Sequence, residues 1–331
     1  MNINITMSDI YMVVGFVLSV YSCVSNDVIQ TLGTFLSSTK DRPVWQVWLF
    51  ASTVLVVTLF SGWLLSGGDI AFGRLDRIPA PEELQFWHVL PPIILILLTK
   101  KGLPVATAFL ILSIFSSSAV IGLMVMKSVV GYVSAFVGAF IVYFFIARKV
   151  EKYFLYSKGE ISPFWVVAKW ISTAFLWSTW LMQDAAVLYV YLPRNLNLWQ
   201  VIVSLSFFVG LLFIICYRRG GEIQDIVKLK TNTQDMRSAT IIDIVFAVLL
   251  FVFQHVNNIP MSTTWVFIGV LAGREIALYN RIRYKTQKKV YKHVLKDLTK
   301  AFIGLVVSIS TVVVLTNLNV VKESIKTFFG F

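Results

Sequence analysis

Long apolar runs recur along the whole chain, and each is about as long as a bilayer is thick. Only 14% of the 331 residues are charged, whereas 57% are hydrophobic. A soluble protein of this size needs more polar surface to contact water, and roughly 20 apolar residues let a helix cross a bilayer. The sequence therefore predicts an all-α integral membrane protein.

The polar interruptions between apolar runs predict about ten transmembrane helices. The predicted spans are 9–37, 44–66, 84–100, 103–126, 128–148, 162–192, 196–217, 238–257, 259–280 and 299–318. When these spans alternate across the bilayer, most of the 29 basic residues fall on one side. By the positive-inside rule that side is cytoplasmic, so both termini lie outside. The short loops are typical of a bacterial inner membrane protein.

The net charge of +12 does not indicate a nucleic-acid partner. The basic residues lie in short loops between apolar spans, and they form no basic patch interleaved with aromatic residues. Membrane topology accounts for the charge, and the lipid bilayer is the partner that it predicts.

Three short segments of the first half recur in the same order in the second half. The pairs are Ser25–Asp27 with Met182–Asp184, Gly67–Ile70 with Gly220–Ile223, and Gly102–Ala108 with Asn258–Thr264. Collinear matches at a nearly constant offset indicate two duplicated halves, residues 1–150 and 151–331. Because each half holds five spans, the second half enters the membrane from the opposite side, and the repeats are inverted. The glycine pairs are expected only to bend the chain.

Asp27 and Asp184 are carboxylates within apolar spans. An ionised carboxylate there costs at least about 2.5 kcal/mol unless it meets a partner, an ion or water, so both are candidate cation ligands or proton carriers. The neighbouring Asn26 and Gln183 offer a carbonyl to a cation and an amide donor to an oxyanion. Alternatively, each carboxylate caps a helix break or pairs with a basic residue, such as Arg194 for Asp184.

Pro104 and Pro260 each stand where one apolar run ends and another begins. Proline suits the first turn of a helix, so the pattern predicts a helix that starts inside the membrane at each proline. The free amides of such a helix start form an anion site. Hydroxyl donors follow each proline at Thr107, Ser262, Thr263 and Thr264. Alternatively, these residues only cap a helix near the membrane surface.

These motifs resemble the inorganic phosphate transporter family, which comprises sodium- or proton-coupled phosphate permeases and sulfate-transporting relatives. Each half of a family member carries a Gly-Ala-Asn-Asp-like motif in a broken helix, a Gly-Gly segment and then Pro-Val-Ser-Thr-Thr-His. Asn26-Asp27 and Gln183-Asp184 look like the first motif. Pro260–Thr264 looks like the last motif, and Pro104–Ala108 looks like a degraded copy of it.

The chain departs from the family pattern at several motif positions, as a diverged member would. Gln183 replaces an asparagine, and Ala106 and Ala108 replace a serine and a threonine. Phe109 and Trp265 stand where histidines are usual. The resemblance therefore implies the fold and the mode of transport, and it leaves open which oxyanion is carried.

The resemblance implies a cation-coupled symporter that holds phosphate near the membrane midplane, between discontinuous helices. The implied substrate ligands are Asn26, Gln183, Thr107, Ser262, Thr263 and Thr264. Sodium or a proton would couple at Asp27 and Asp184, with Asn26 as a further cation ligand, and no cofactor is expected. Sulfate or another oxyanion remains an alternative substrate, and a homodimer remains open. A further alternative is a sensor or partner-binding protein that kept the scaffold without transporting.

A channel and a membrane-embedded enzyme fit the sequence less well. A channel would show a wide polar lining or a ring of like residues from several chains. An enzyme would need a nucleophile with a base or a metal cluster, but His88, His255 and His293 lie far apart without neighbours at ligand spacing. We therefore expect no enzymatic activity.

Overall fold

The computed structural model of the protein describes residues 6–100, 105–156, 161–218, 235–282 and 286–329, and every regular element in these ranges is helical. In chain order the helices are α1 (Met7–Asn26), α2 (Val28–Ser38), α3 (Val44–Leu65), α4 (Leu90–Lys100), α5 (Thr107–Leu112), α6 (Ser118–Ile146), α7 (Lys152–Tyr156), α8 (Pro163–Tyr189), α9 (Leu198–Tyr217), α10 (Met236–Val256), α11 (Thr263–Ile282) and α12 (Gln287–Phe329). A 3-10 turn at Phe86–Val89 leads into α4, another at Ser113–Phe115 follows α5, and a π turn at Ala147–Glu151 joins α6 to α7.

Six of the described helices are long and apolar enough to cross a membrane. They are α1, α3, α6, α9, α10 and the Gln287–Leu315 part of α12. The predicted span 84–100 corresponds to a shorter apolar helix, Phe86–Lys100. Most of α11 is buried against neighbouring helices, so protein rather than lipid surrounds it.

The first predicted span is interrupted at Asp27, where α1 ends and α2 begins. The boundary predicted between the fourth and fifth spans, next to Lys127, is wrong, because α6 runs through this residue without a break. The chain instead leaves helical structure at Ser116, before α6 begins. Lys127 fits inside α6 because its ammonium donates to the carbonyls of Asn257, at 2.9 Å, and Ile259, at 2.7 Å.

Helix α8 lies between elements of the two predicted halves. It packs against α1, α2 and α3 on one side and against α10 on the other. The indole of the fully buried Trp177 donates to the carbonyl of Ala51 on α3, at 2.9 Å. Ser19 on α1 donates to the carbonyl of Val187, at 2.6 Å. These contacts fix the end of α8 that carries Asp184 against the first helices of the chain.

Two glycines on α11 let its backbone lie directly against that of α6. A methyl group added at Gly269 would lie 2.5 Å from the carbonyl oxygen of Tyr132, and one added at Gly273 would collide with the carbonyl oxygen of Phe136. Glycines four residues apart are a common device for close helix packing in membranes. The contact holds the start of α11, which lies at the candidate site, in a fixed position.

We predict that Gly273→Ala lowers the stability of the folded protein by about 1 to 3 kcal/mol, because the new methyl group overpacks a backbone contact. Thermal unfolding of the detergent-solubilised protein would measure the loss. Gly122→Ala is the matched control, since an added methyl on that part of α6 meets no atom within 4 Å. Equal melting temperatures for the Gly273→Ala protein and the wild type would contradict the packing argument.

A buried ion pair links α2, α8 and α10 at a distance from Asp184. The ammonium of Lys169 on α8 lies 2.7 Å from the carboxylate of Asp243 on α10. That carboxylate also accepts from Thr34 on α2, at 3.1 Å, and from Thr173, at 3.0 Å. Lys169 precedes Asp184 by fifteen residues on α8, or about 22 Å along the helix axis. The sequence marks Lys169 as a charge inside a span, but its partner is visible only in the structure.

We predict that Lys169→Met destabilises the protein by about 3 to 5 kcal/mol, because it leaves the carboxylate of Asp243 buried without its counter-charge. Thermal unfolding and the yield of monodisperse protein would report the change. Adding Asp243→Asn to Lys169→Met removes the unpaired charge and is expected to restore part of the stability. A double variant that is no more stable than Lys169→Met alone would argue against the pair as the cause.

Candidate functional site

The carboxylate of Asp27, at the break between α1 and α2, is almost completely buried among donors. One of its oxygens accepts from the amide of Asn26 at 2.9 Å, from the amide of Gln30 at 3.0 Å and from the hydroxyl of Thr264 at 3.2 Å. The other accepts a short hydrogen bond from the hydroxyl of Thr107. This set of donors removes most of the cost of burying a carboxylate.

Asn26 links Asp27 to the chain that leads into α5. Its side-chain amide also donates to the carbonyl of Val105 and to the hydroxyl of Thr107, both at 3.0 Å. Thr99 donates to its side-chain carbonyl at 3.4 Å. The amide is therefore shared between the helix break and the start of α5, so two predicted ligands, Asn26 and Thr107, lie side by side.

Asp184 lies inside α8, which continues to Tyr189, so the helix is not broken at this residue as α1 and α2 are at Asp27. Its carboxylate accepts from the hydroxyl of Thr263 on α11 at 2.7 Å. The two carboxylates accept from consecutive residues, Thr263 and Thr264, so they belong to one site. The basic residue whose charge acts on Asp184 is Arg74, whereas Arg194 donates to the carbonyls of Val190 and Ile78.

The start of α11 brings residues of the two predicted halves together. Thr263 and Thr264 are consecutive, and the first bonds to Asp184 while the second bonds to Asp27. Gln30 approaches the hydroxyl of Thr264 as well, at 3.4 Å. One helix start thus contacts both carboxylates.

The helix predicted to start at Pro260 begins three residues later, at Thr263, so Pro260 does not occupy the first turn. The reason is a cap, because the hydroxyl of Ser262 accepts from the amide of Trp265 at 3.2 Å. Ser262 therefore has a capping contact of the kind that a surface helix would also show. Pro104 and the second glycine pair, Gly220-Gly221, lie outside the described residues.

Gln183 and Arg74 add polar groups beside Asp184. The side-chain amide of Gln183 donates to the carbonyl of Leu250 on α10 at 2.8 Å. Arg74, which is 2% exposed, donates through Nε to the carbonyl of Met182 at 2.7 Å. In the sequence Arg74 counts only as a loop charge, and the one signal for a further role is its position just after the first Gly-Gly-Asp segment.

The ligands that gather here suit a hard monovalent cation or a proton. The oxygens come from the two carboxylates and the threonine hydroxyls, and hard cations prefer such ligands. The side-chain amides of Asn26 and Gln30 face Asp27 through their nitrogen atoms. Among the described residues, no group of three His, Cys, Asp or Glu side chains forms a transition-metal site. Hydroxyl and amide groups can also donate to an oxyanion, but in this structure Thr107, Thr263 and Thr264 donate to the two carboxylates.

Comparison with known proteins supports the fold. No protein-family model matches the chain, and no curated protein sequence matches it. A solved structure described as the sodium-dependent phosphate transporter is similar to it, with a TM-score of 0.65 at 15% sequence identity. The match covers 96% of this chain and 100% of that one.

The six apolar helices indicate a membrane protein, and the match over nearly the whole chain indicates the same fold as a solved transporter. The described residues are organised as helices of membrane length around a buried polar site. The chain is therefore an integral membrane protein that shares its fold with a solved transporter.

Proposed function

We propose that the protein is a cation-coupled symporter of inorganic phosphate. The observation that carries the proposal is the hydrogen bond between Thr264 and Asp27, at 3.2 Å. It joins the two predicted halves at a buried site that also holds Asp184 and Thr263. In transporters built from inverted repeats, substrate and coupling-ion sites lie between the repeats.

Electrostatics gives the coupling its physical reason. Asp27 and Asp184 are buried and their charges interact, so an added anion is strongly unfavourable while both are ionised. A sodium ion or proton at each carboxylate removes this repulsion and lets the anion bind. Thr107 adds a hydroxyl oxygen to the cation site at Asp27, and Asn26 adds its carbonyl oxygen once its amide turns, because its nitrogen now donates to Asp27. Anion binding then requires cation binding, which is the basis of symport.

Phosphate is the first candidate substrate because the similar solved structure is described as a sodium-dependent phosphate transporter. The hydroxyls of Ser262, Thr263, Thr264 and Thr107 and the amides of Asn26 and Gln183 are the proposed anion donors. Sulfate and other oxyanions present similar oxygen atoms to such donors, so they are the alternative substrates.

Alternating access requires the contacts between the halves to change. The bonds from Thr264 to Asp27 and from Ser19 to Val187 hold the halves together at the site. A cation at Asp27 would compete with the hydroxyl of Thr264 for the same oxygen. Cation binding and the relative position of the halves are then linked through one carboxylate.

The test is uptake of radiolabelled phosphate, and then sulfate, into proteoliposomes with and without an inward sodium or proton gradient. Asp27→Asn keeps the shape of the side chain and removes its charge. We expect it to lower gradient-driven uptake by about 10-fold or more, as for the loss of a charged ligand. The active gradient identifies the coupling ion, and the accumulated anion identifies the substrate.

Asp41→Asn is the matched control, because the same change on an exposed turn removes an equal charge far from the donors of Asp27. Its uptake is expected to equal that of the wild type. Unchanged cation-dependent uptake in Asp27→Asn would refute the assigned coupling site. A wild-type protein that accumulates neither anion under either gradient would refute the transport proposal and favour a non-transporting protein on this scaffold.

A further inference from the structure

The loop after α3 is folded so that Arg74 points into the protein. Gly67, Gly68 and Gly73 have positive φ angles of 63°, 105° and 71°, which glycine adopts without steric cost. The carboxylate of Asp69 accepts from the amides of Ala71, at 2.7 Å, and Gly73, at 2.5 Å. The glycines therefore do more than bend the chain, because this turn delivers a guanidinium to the interior.

The guanidinium of Arg74 is fixed at one nitrogen and unpartnered at another. Its Nε is bonded to the carbonyl of Met182, whereas its Nη1 is buried and has no hydrogen-bond partner among the described residues. Buried arginine donors are normally matched, because an unmatched one loses its interaction with water without compensation. The free Nη1 thus indicates a group that this site is built to receive.

Two glutamine side chains near Met182, the residue to which Arg74 donates, carry two further unpartnered atoms. Gln254 on α10 donates to the sulfur of Met182 at 3.0 Å, and Gln183 donates to Leu250, one turn before Gln254. The carbonyl oxygens of both glutamine side chains are buried, and neither has a hydrogen-bond partner within the described ranges. One donor and two acceptors are therefore tied to the same turn of α8 and the facing turn of α10.

The charges around Arg74 favour an anion. Lys127, held by the carbonyls of Asn257 and Ile259, is near enough for its positive charge to act on Arg74. Asp184 supplies the opposing negative charge, but it forms no salt bridge with Arg74 in the described structure. Arg74 and Lys127 are thus two basic groups in this part of the protein, and Asp184 is the acidic one.

We infer that Arg74, Gln183 and Gln254 form an oxyanion subsite that binds phosphate through Nη1 of Arg74 and through the two glutamine carbonyl oxygens. The inference rests on the proposed function. An arginine nitrogen donates to an anionic oxygen, and the carbonyl oxygens accept the P–OH hydrogens that phosphate carries near neutral pH. Sulfate carries no such hydrogen, so the two acceptors would face it without a donor. The subsite therefore selects phosphate over sulfate.

The test measures binding of inorganic phosphate, and of sulfate, to the purified full-length protein at saturating sodium. The readouts are titration calorimetry and the phosphate-induced rise in melting temperature. Arg74→Gln is expected to raise the Kd for phosphate about 10- to 100-fold, as for the loss of a charged hydrogen bond. Arg74→Lys keeps the charge, but one ammonium does not reproduce the fork of a guanidinium, so an intermediate Kd is expected.

Arg194→Gln is the matched control, because Arg194 lies in another loop of the same region and donates to backbone carbonyls. Its Kd for phosphate is expected to stay within about twofold of the wild-type value, which is close to the scatter of such measurements. If Arg74→Gln binds phosphate as tightly as the wild type, the subsite is wrong and the proposed function stands. If the wild type binds neither phosphate nor sulfate, the proposed function and the subsite both fail.

Gln254→Met provides a second variant that leaves Arg74 in place. It keeps the size of the side chain and removes the acceptor. The expected result is a several-fold weaker affinity for phosphate and an unchanged affinity for sulfate, as for the loss of one neutral hydrogen bond. A purely structural role of Gln254 would lower both affinities together. An unchanged ratio of the two affinities would overturn the assignment of Gln254 as an acceptor.

Discussion

The burial of the Asp27 carboxylate is the constraint on which the rest of the site depends. A carboxylate in an apolar chain is stable only where enough donors surround it. Those donors come from α1, α2, α5 and α11. Four helices must therefore converge on one residue, and α1 and α2 are interrupted there. The close contact of Gly269 and Gly273 with α6 serves the same end, because it holds α11 where Thr264 reaches the carboxylate.

The buried charges of this protein are satisfied in different ways. Lys169 and Asp243 form a pair with two threonines, and Lys127 is held by two backbone carbonyls. These groups are matched by the protein itself. Arg74 is equally buried, but one of its nitrogens lacks a partner among the described residues. Glu151 also has a buried carboxylate oxygen without a partner among the described residues, so the unmatched nitrogen of Arg74 indicates a ligand because it lies next to the candidate site.

The sequence indicates which residues lie together where burying a residue type is energetically costly. Asn26, Asp27 and Thr107 lie together as the motifs indicate, because a charge in an apolar run must find donors. The boundary near Lys127 was wrong because hydropathy does not register two carbonyls that arrive from a distant loop. The start of α11 was misplaced because the cap is Ser262 rather than Pro260. Arg74 was missed because the direction of a glycine-rich turn is not encoded in composition.

The two carboxylates differ in their surroundings, and this difference gives the degraded motif a physical explanation. Ala106 and Ala108 supply no hydroxyls in the first half, yet Asp27 has the larger set of donors because Thr264 and Gln30 reach it from other helices. Asp184 has Thr263 and the nearby charge of Arg74. In the proposed symporter a cation binds at each carboxylate, and the anion lies on the Asp184 side, next to Arg74. The loss of the first-half hydroxyls from the sequence therefore fits two halves with different roles at the site, and it does not require loss of transport.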